Sequence, residues 1–362
     1  MIDFPASPTL GQAFVDPATG LRWVWDGTKW KASGLATPPL PVAMNDNRII
    51  NGDMRIDQRN GGASGTAYNY TVDRWQCTGT VAGQFTWQQT NNGGCPGFPY
   101  ALRAISNSAH TVAAADTFYI LQPIEADMVS DFQWGAAGAQ PVTLSFWVYC
   151  TLTGTFSGVI GAAVSAAPFR SYPFTYSIPV ANTWTKIAIT IPGDTIGPWV
   201  MSGNSGAINL LFDLGSGANY HGPANAWASA NYVGATGAVN LVASNGAGIL
   251  FTGVKLEIGS VATSYNRQSL AKSLADCQRY YVGNGYFNYA GFATEIAPIS
   301  ISQTFPTNMR APPTIVVTPQ GSLNITNPLV GPVDGTYYAV GGQSTAAGNF
   351  IYYGTFTASA EL

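Results

Sequence analysis

Thr185-Lys186-Ile187-Ala188-Ile189-Thr190-Ile191, halted by Pro192-Gly193-Asp194, decides the fold class. Three isoleucines fall at period two, alternating with Lys186, Ala188 and Thr190, the pattern of a strand with one buried face, and Pro-Gly-Asp is turn chemistry. The alternation recurs on both sides of this stretch: Leu144, Phe146 and Val148 precede it, while Ile208, Leu210 and Phe212, then Val254, Leu256 and Ile258, follow it. Turns rich in Gly, Asn and Pro separate the runs, so residues 43–264 read as two stacked antiparallel sheets, a β-sandwich in an all-β chain.

A helical period follows. Leu270, Leu274, Cys277 and Tyr281 share one face of an expected connecting helix at 267–281, within 265–282, with Asn266 able to cap its start and Gly283 just beyond its end. At about four turns such a helix cannot stand alone, so its stripe must pack on a domain or on copies of itself. Residues 283–362 then return to strands at 298–305, 314–318, 336–340 and 349–357, predicting a small β-domain rich in aromatic residues, among them Phe287, Tyr289, Phe292, Tyr352 and Tyr353.

At the other end, residues 1–33 hold Trp23, Trp25 and Trp30 around the turn signals Pro17-Ala18-Thr19-Gly20 and Asp26-Gly27. They predict a β-meander whose tryptophans meet across a hairpin, either as a plain core cluster or as an edge that docks on something larger. Residues 34–42, with Pro38, Pro39 and Pro41, predict an extended linker.

Composition narrows the chemistry. Only 9% of the 362 residues are charged, against roughly a quarter ordinarily, while 46% are hydrophobic and 41 are glycine. A surface so poor in charge stays wet through amides, hydroxyls and turns, or is covered in an assembly. The net charge of −3 leaves no basic stripe for nucleic-acid phosphates or an anionic membrane. Cys77, Cys95, Cys150 and Cys277 contain no Cys-x-x-Cys pair, so neither a disulfide framework nor a zinc site is expected, a Cys77–Cys95 bridge being left open. No cofactor or metal is expected. Met1-Ile2-Asp3-Phe4-Pro5 lacks a basic start and an apolar core segment, and runs such as 144–150 are too short to span a bilayer, so folding in a cytoplasm without membrane insertion is expected.

Several stretches resemble a known family. Residues 4–12, Phe-Pro-Ala-Ser-Pro-Thr-Leu-Gly-Gln, with Trp25-Asp26-Gly27-Thr28-Lys29-Trp30, resemble an N-terminal module of tailed-bacteriophage virion proteins. Asn51-Gly52-Asp53-Met54, Gln58-Arg59 and Asp73-Arg74-Trp75 resemble the start of a jelly-roll module of phage tail fibres; Thr183-Trp184, residues 191–195 and Phe212-Asp213-Leu214-Gly215 resemble its later strands. Residues 253–259 through Cys277-Gln278-Arg279-Tyr280-Tyr281 resemble its closing strand and exit helix. The resemblance implies a non-enzymatic, homotrimeric virion appendage, assembled in the host bacterial cytoplasm, with Trp23, Trp25 and Trp30 anchoring it to other virion proteins. It also implies a jelly roll, similar to carbohydrate-binding modules, that attaches to host surface polysaccharide. Collagen-like repeats, a long coiled coil and a self-cleaving chaperone domain are lacking, so a short fibre, tail tip, or head or collar appendage is expected rather than a long shaft. The alternatives are a decoration that binds only other virion proteins and a polysaccharide depolymerase.

A glycan site needs aromatic faces beside amides and carboxylates. Trp199, Tyr220, Trp227 and Tyr232, in loops rich in Gly, Asn and Ser and near Asn204, Asp213 and Asn219, have those groups, although core packing would explain the same aromatics. The densest acids, Asp53, Asp57 and Asp73, lie beside Arg55, Arg59 and Arg74 and read as ion pairs or turn contacts rather than as the two carboxyls of a glycosidase. His110 and His221 have no motif partner, and Gly215-Ser216-Gly217 lacks the lysine of a phosphate loop.

Overall fold

The computed structural model describes residues 4–16, 21–35, 47–91, 94–163 and 169–362. The expected turn at 17–20 and residues 36–42 of the expected linker lie outside the described residues. The chain forms two compact units, 1–46 and 47–362.

In the first unit, strands β1 (Ala13–Val15), β2 (Leu21–Trp25) and β3 (Trp30–Leu35) form one antiparallel sheet. Trp25 pairs with Trp30 across the hairpin, and Phe4 stacks on Trp30 at 5.2 Å while meeting Phe14 and Trp23 edge-on, each at 5.3 Å. Asp26 closes the turn: its Oδ1 accepts from the Thr28 and Lys29 amides at 2.9 and 2.8 Å, and its Oδ2 pairs with Lys31 at 2.9 Å. Gly27 follows at φ +97°, a conformation that costs any other residue strain.

The second unit begins with a two-sheet sandwich. Its strands are β4 (Asn69–Tyr70), β5 (Gln76–Gly79), β6 (Phe85–Asn91), β7 (Tyr100–Ser106), β8 (Thr117–Glu125), β9 (Val142–Cys150), β10 (Gly154–Ala162), β11 (Ser171–Ile178), β12 (Thr185–Ile191), β13 (Gly206–Ser216), the short pair β14 (His221–Gly222) and β15 (Gly234–Ala235), and β16 (Gly248–Ile258). One sheet runs β11-β10-β13-β8-β5-β4 and the other β12-β9-β16-β7-β6, and the chain passes repeatedly from one to the other, which makes the sandwich a jelly roll. Between them Phe212 stacks on Phe251 at 4.2 Å and meets Phe146 at 5.0 Å and Phe174 at 6.4 Å. Each such buried ring contributes about 1.5–3 kcal/mol.

The deciding stretch forms β12, at the edge of its sheet, with Ile187 opposite Phe146 and Lys186 exposed. Its stop is not a solvent turn: Asp194 is 3% exposed, because its carboxylate binds the buried Arg170 guanidinium through two contacts of 2.6 and 2.7 Å.

The helix is shorter than its pattern suggested. α1 covers Leu270–Gln278, and the cap is Ser269, whose hydroxyl accepts from the Lys272 amide, rather than Asn266. Leu270 is 58% exposed while Ser273 and Cys277 are buried, because Arg55 donates to Ser273 Oγ and to the Gln268 carbonyl and so sets the roll of the helix. Gly283 is not its cap. It lies in the next strand, where a Cβ would stand 2.7 Å from the Gln58 carbonyl.

Strands β17 (Tyr281–Ala293), β18 (Pro298–Thr304), β19 (Thr314–Leu323), β20 (Ile325–Pro332), β21 (Tyr337–Ser344) and β22 (Gly348–Ser359) complete the unit as sheets β17-β22-β19 and β18-β21-β20 around Phe287, Phe305, Tyr338 and Phe356. The sequence reading missed β20, which carries Pro328, Pro332 and a positive-φ Asn327 and survives as an edge strand with a register shift. These sheets are tied to the sandwich by charge. Glu361 pairs with Arg74 and Arg59, Arg279 with Glu125 at 2.6 Å, and the Tyr280 hydroxyl donates to the same Glu125 at 2.6 Å. All four cysteines are buried free thiols. No helix among the described residues is long and apolar enough to cross a membrane.

Candidate glycan-binding groove

The outer face of the six-stranded sheet is assembled by register. Leu121, Leu211 and Val159 lie in one row across β8, β13 and β10, and Asn209 sits opposite Gly161 in the next. A strap, residues 217–235, folds back over this face. It is pinned by the Asn219 amide to the Ala114 carbonyl at 3.0 Å, by Ser171 and Ala228 bonding each other's backbone, and by the Ala235 amide to Ser157 Oγ at 3.1 Å. Sheet and strap enclose a groove of about 340 Å³ lined by Tyr119, Leu121, Leu211, Tyr220, Tyr232 and the amides of Asn209 and Asn231.

The strap approaches this closely because of what lies beneath it. Asp213 is 1% exposed; its Oδ1 accepts from the Gly215 amide and Ser216 Oγ at 2.9 and 2.5 Å, and its Oδ2 from Ser157 Oγ at 3.0 Å. His221 lies 3.8 Å from the same Oδ2. A Cβ on Gly234 would stand 2.0 Å from that oxygen, so only glycine lets β15 pass. Burial raises the Asp213 carboxyl above its ordinary value, opposed by those hydrogen bonds and by His221. Burial, with Tyr220 nearby, also raises the Tyr119 phenol, which keeps it a neutral donor.

The residues picked out from sequence are divided by the structure. Tyr220 and Tyr232 both line the groove. Trp199 and Trp227 join the buried Trp134 in a mutually edge-on trio, with centroids 4.9, 5.1 and 5.5 Å apart. Their indoles are used internally, Trp199 donating to Asp194 Oδ2 at 2.9 Å and Trp227 to the Pro192 carbonyl at 2.8 Å. Arg170 touches both places: it lines the groove, and its partner Asp194 holds Trp199. Asn219 is exposed on the strap, Asp213 lies beneath it, and Asn204 is instead bound to the Arg310 carbonyl. Trp23, Trp25 and Trp30 are half-buried in the sheet of the first unit.

Tyr119, Leu121, Val159, Asn209 and Leu211 went unnoticed in the sequence. A signal was present, since Phe118-Tyr119-Ile120-Leu121 is apolar at every position, as expected of a strand covered on both faces.

The other acids are engaged elsewhere. Asp53 Oδ2 pairs with Arg55 at 2.6 Å and Arg267 at 3.1 Å; Asp57 accepts from the Asn60 and Gly62 amides at 3.0 and 2.8 Å; Asp73 accepts from the Gln58 amide at 2.9 Å. His110 bonds Asp116 at 2.8 Å. Among the described residues no three His, Cys, Asp or Glu side chains converge to hold a metal ion. The groove therefore offers ring faces, an apolar floor and amides, which is binding chemistry for a ligand with both apolar faces and hydroxyls.

No family model matches the chain, and no curated protein matches it. Among solved structures it is similar to the enzymatically active domain of bacteriophage CBA120 tailspike protein 4, at 16% identity and a TM-score of 0.32, over 60% of this chain and 22% of that one. The chain thus spans about a fifth of the length of that tailspike domain. It is also similar to a Bacteroides thetaiotaomicron protein described as a candidate sugar-binding protein, at 11% identity and a TM-score of 0.38, over 59% of this chain and 100% of the other. A third similar structure is the CBM22-1 xylan-binding domain of Paenibacillus barcinonensis Xyn10C, at 10% identity and a TM-score of 0.28, over 56% and 99% of the two chains. The fold assignment rests on this chain's own strand order.

Proposed function

We propose that the protein is a non-enzymatic bacteriophage virion protein, a short tail fibre or similar appendage, that attaches to glycan on the host surface through the groove under the strap. The groove carries this reading: three tyrosines, an apolar floor and two asparagines converge there, and its one cation, Arg170, is already neutralised by Asp194. Such a site holds sugar rings by stacking and neutral hydrogen bonds. The ion pairs and turn contacts made by Asp53, Asp57 and Asp73 support binding over hydrolysis. In this reading the protein works as a homotrimer in the virion, with the tryptophan module of the first unit as its anchor to other virion proteins.

Glycan-array binding, repeated with Tyr232→Ala and Tyr119→Ala, tests the assignment. The wild type should bind a neutral glycan with little dependence on salt, and each variant should lose roughly tenfold in affinity. Binding that both variants retain would remove the groove from the mechanism. New reducing ends released from host polysaccharide would favour the depolymerase alternative.

A further inference from the structure

The opposite sheet presents a different chemistry. Trp147 and Tyr149 point outward from β9, because Phe146, Val148 and Cys150 face the core. Following the register across the sheet puts Gln88, Arg103, Leu250 and Tyr149 in one row. Trp184, just ahead of β12, ends that row beside Tyr149 with ring centroids 5.7 Å apart. In the neighbouring row Lys186 pairs with Trp147, and these two help wall a cavity of about 340 Å³ together with Phe98, Tyr265 and Arg267. Trp147, Tyr149 and Trp184 are each half-buried, unlike the sealed rings of the core.

This face also holds surplus positive charge on a chain whose net charge is −3. Arg103 donates to the neutral amide of Gln88 at 2.6 Å, and Lys186 is exposed; among the described residues no carboxylate pairs with either. Arg267, which lines the cavity, has only a shared carboxylate, because Asp53 also binds Arg55, at 3.1 and 2.6 Å respectively. Lys255 alone is matched, by Glu257 at 2.9 Å. The groove on the other sheet has the reverse character, since its arginine is paired.

We propose that the outer face of the five-stranded sheet is a second carbohydrate surface, built for an anionic polysaccharide whose rings lie on Trp147, Tyr149 and Trp184 while its carboxylates or phosphates meet Arg103 and Lys186. The two cations stand three strand intervals and one row apart, about 16 Å, so a polymer rather than a monosaccharide is needed to reach both. The surface is independent of the groove, and its test separates the two.

Calorimetry on the full chain would use an oligouronate, its carboxyl-reduced neutral counterpart and a phosphate polymer of hexose rings joined by phosphodiesters. The wild type should bind one or both anionic polymers, and the reduced counterpart at least about tenfold more weakly. Binding of the oligouronate alone identifies carboxylate as the group read, and of the phosphate polymer alone, phosphate. Arg103→Gln and Lys186→Gln should each weaken binding and flatten its salt dependence, and Trp184→Ala should weaken it with the melting temperature unchanged. Tyr232→Ala, in the groove, should leave it intact. The proposal is overturned by binding of neither anionic polymer, by equal affinity for the reduced counterpart, by full retention in the Arg103→Gln/Lys186→Gln double variant, or by single-stranded DNA binding as tightly. Trp147 sits on a central strand, so the exposed Lys186 and the half-buried Trp184, just ahead of the edge strand, keep the test decisive should Trp147→Ala fail to fold.

Discussion

Tyr232 rests its ring on the bare Cα of Gly222, where a Cβ would stand 2.2 Å from the ring. The absence of a side chain at Gly222 therefore sets the orientation of one wall of the groove. Gly222→Ala should push the half-buried ring aside and weaken glycan binding by roughly tenfold, at a stability cost of about 1–3 kcal/mol. Glycan affinity and melting temperature measured on the same preparation check this, and unchanged affinity would count against Tyr232 as a contact.

Glu361 should hold the two parts of the second unit together. Its partner Arg74 is 1% exposed, donates to the Pro123 carbonyl at 2.7 Å and lies over the Tyr280 ring at 3.6 Å. Glu361→Ala leaves that guanidinium buried without its carboxylate, which should cost about 3 kcal/mol in urea unfolding, with Glu361→Gln recovering part of it. A loss below about 0.5 kcal/mol would show that Arg74 is satisfied without it.

The hairpin of the first unit should be acid-sensitive in a defined sense. Lys31 and the Lys29 and Thr28 amides hold the Asp26 carboxyl well below the usual carboxylate range. A group whose folded pKa is depressed adds stability that is complete above its unfolded value, about 3.9, and is lost as pH falls from there through the folded value. Tryptophan fluorescence of the whole chain should stay constant from pH 7 to about 5 and change only below about pH 4. Asp26→Asn should remove the acid dependence contributed by this turn.

Thiol chemistry offers a simple check on the core. Burial pushes the Cys77 and Cys95 thiols up to about 12 and raises Cys150 and Cys277 above their ordinary value as well. Iodoacetamide at pH 8 should leave all four unmodified in the native protein and alkylate all four in urea, because the thiolate is the reactive form. Rapid native labelling of one site would locate a local opening.

Trimerisation and anchoring are tested by light scattering, which should give about three times the 38.1 kDa chain mass, and by deleting residues 1–37, which should abolish incorporation into virions.

The isoleucines of β12 and the alternation at Leu144, Phe146 and Val148 made the sandwich legible, because a strand with one buried face leaves a period-two trace that no distant contact is needed to read. The tryptophan hairpin was legible for a similar local reason, the Asp26-Gly27 turn. Helix α1 was legible in kind but not in phase, since its roll is set by Arg55, a residue more than two hundred positions away. Strand β20 was hidden by its prolines, which only an edge position tolerates. The candidate site divided along the same line. That Tyr220 and Tyr232 belong to a Gly- and Asn-rich loop is a property of sequence; that this loop folds over Tyr119, Leu121 and Leu211, and that Trp199 and Trp227 turn instead toward Trp134, is decided by strand register and by Arg170 meeting Asp194. Local periodicity reports which face of an element is buried, but which two faces meet depends on contacts between residues far apart in the chain, and these form only when the sheets close.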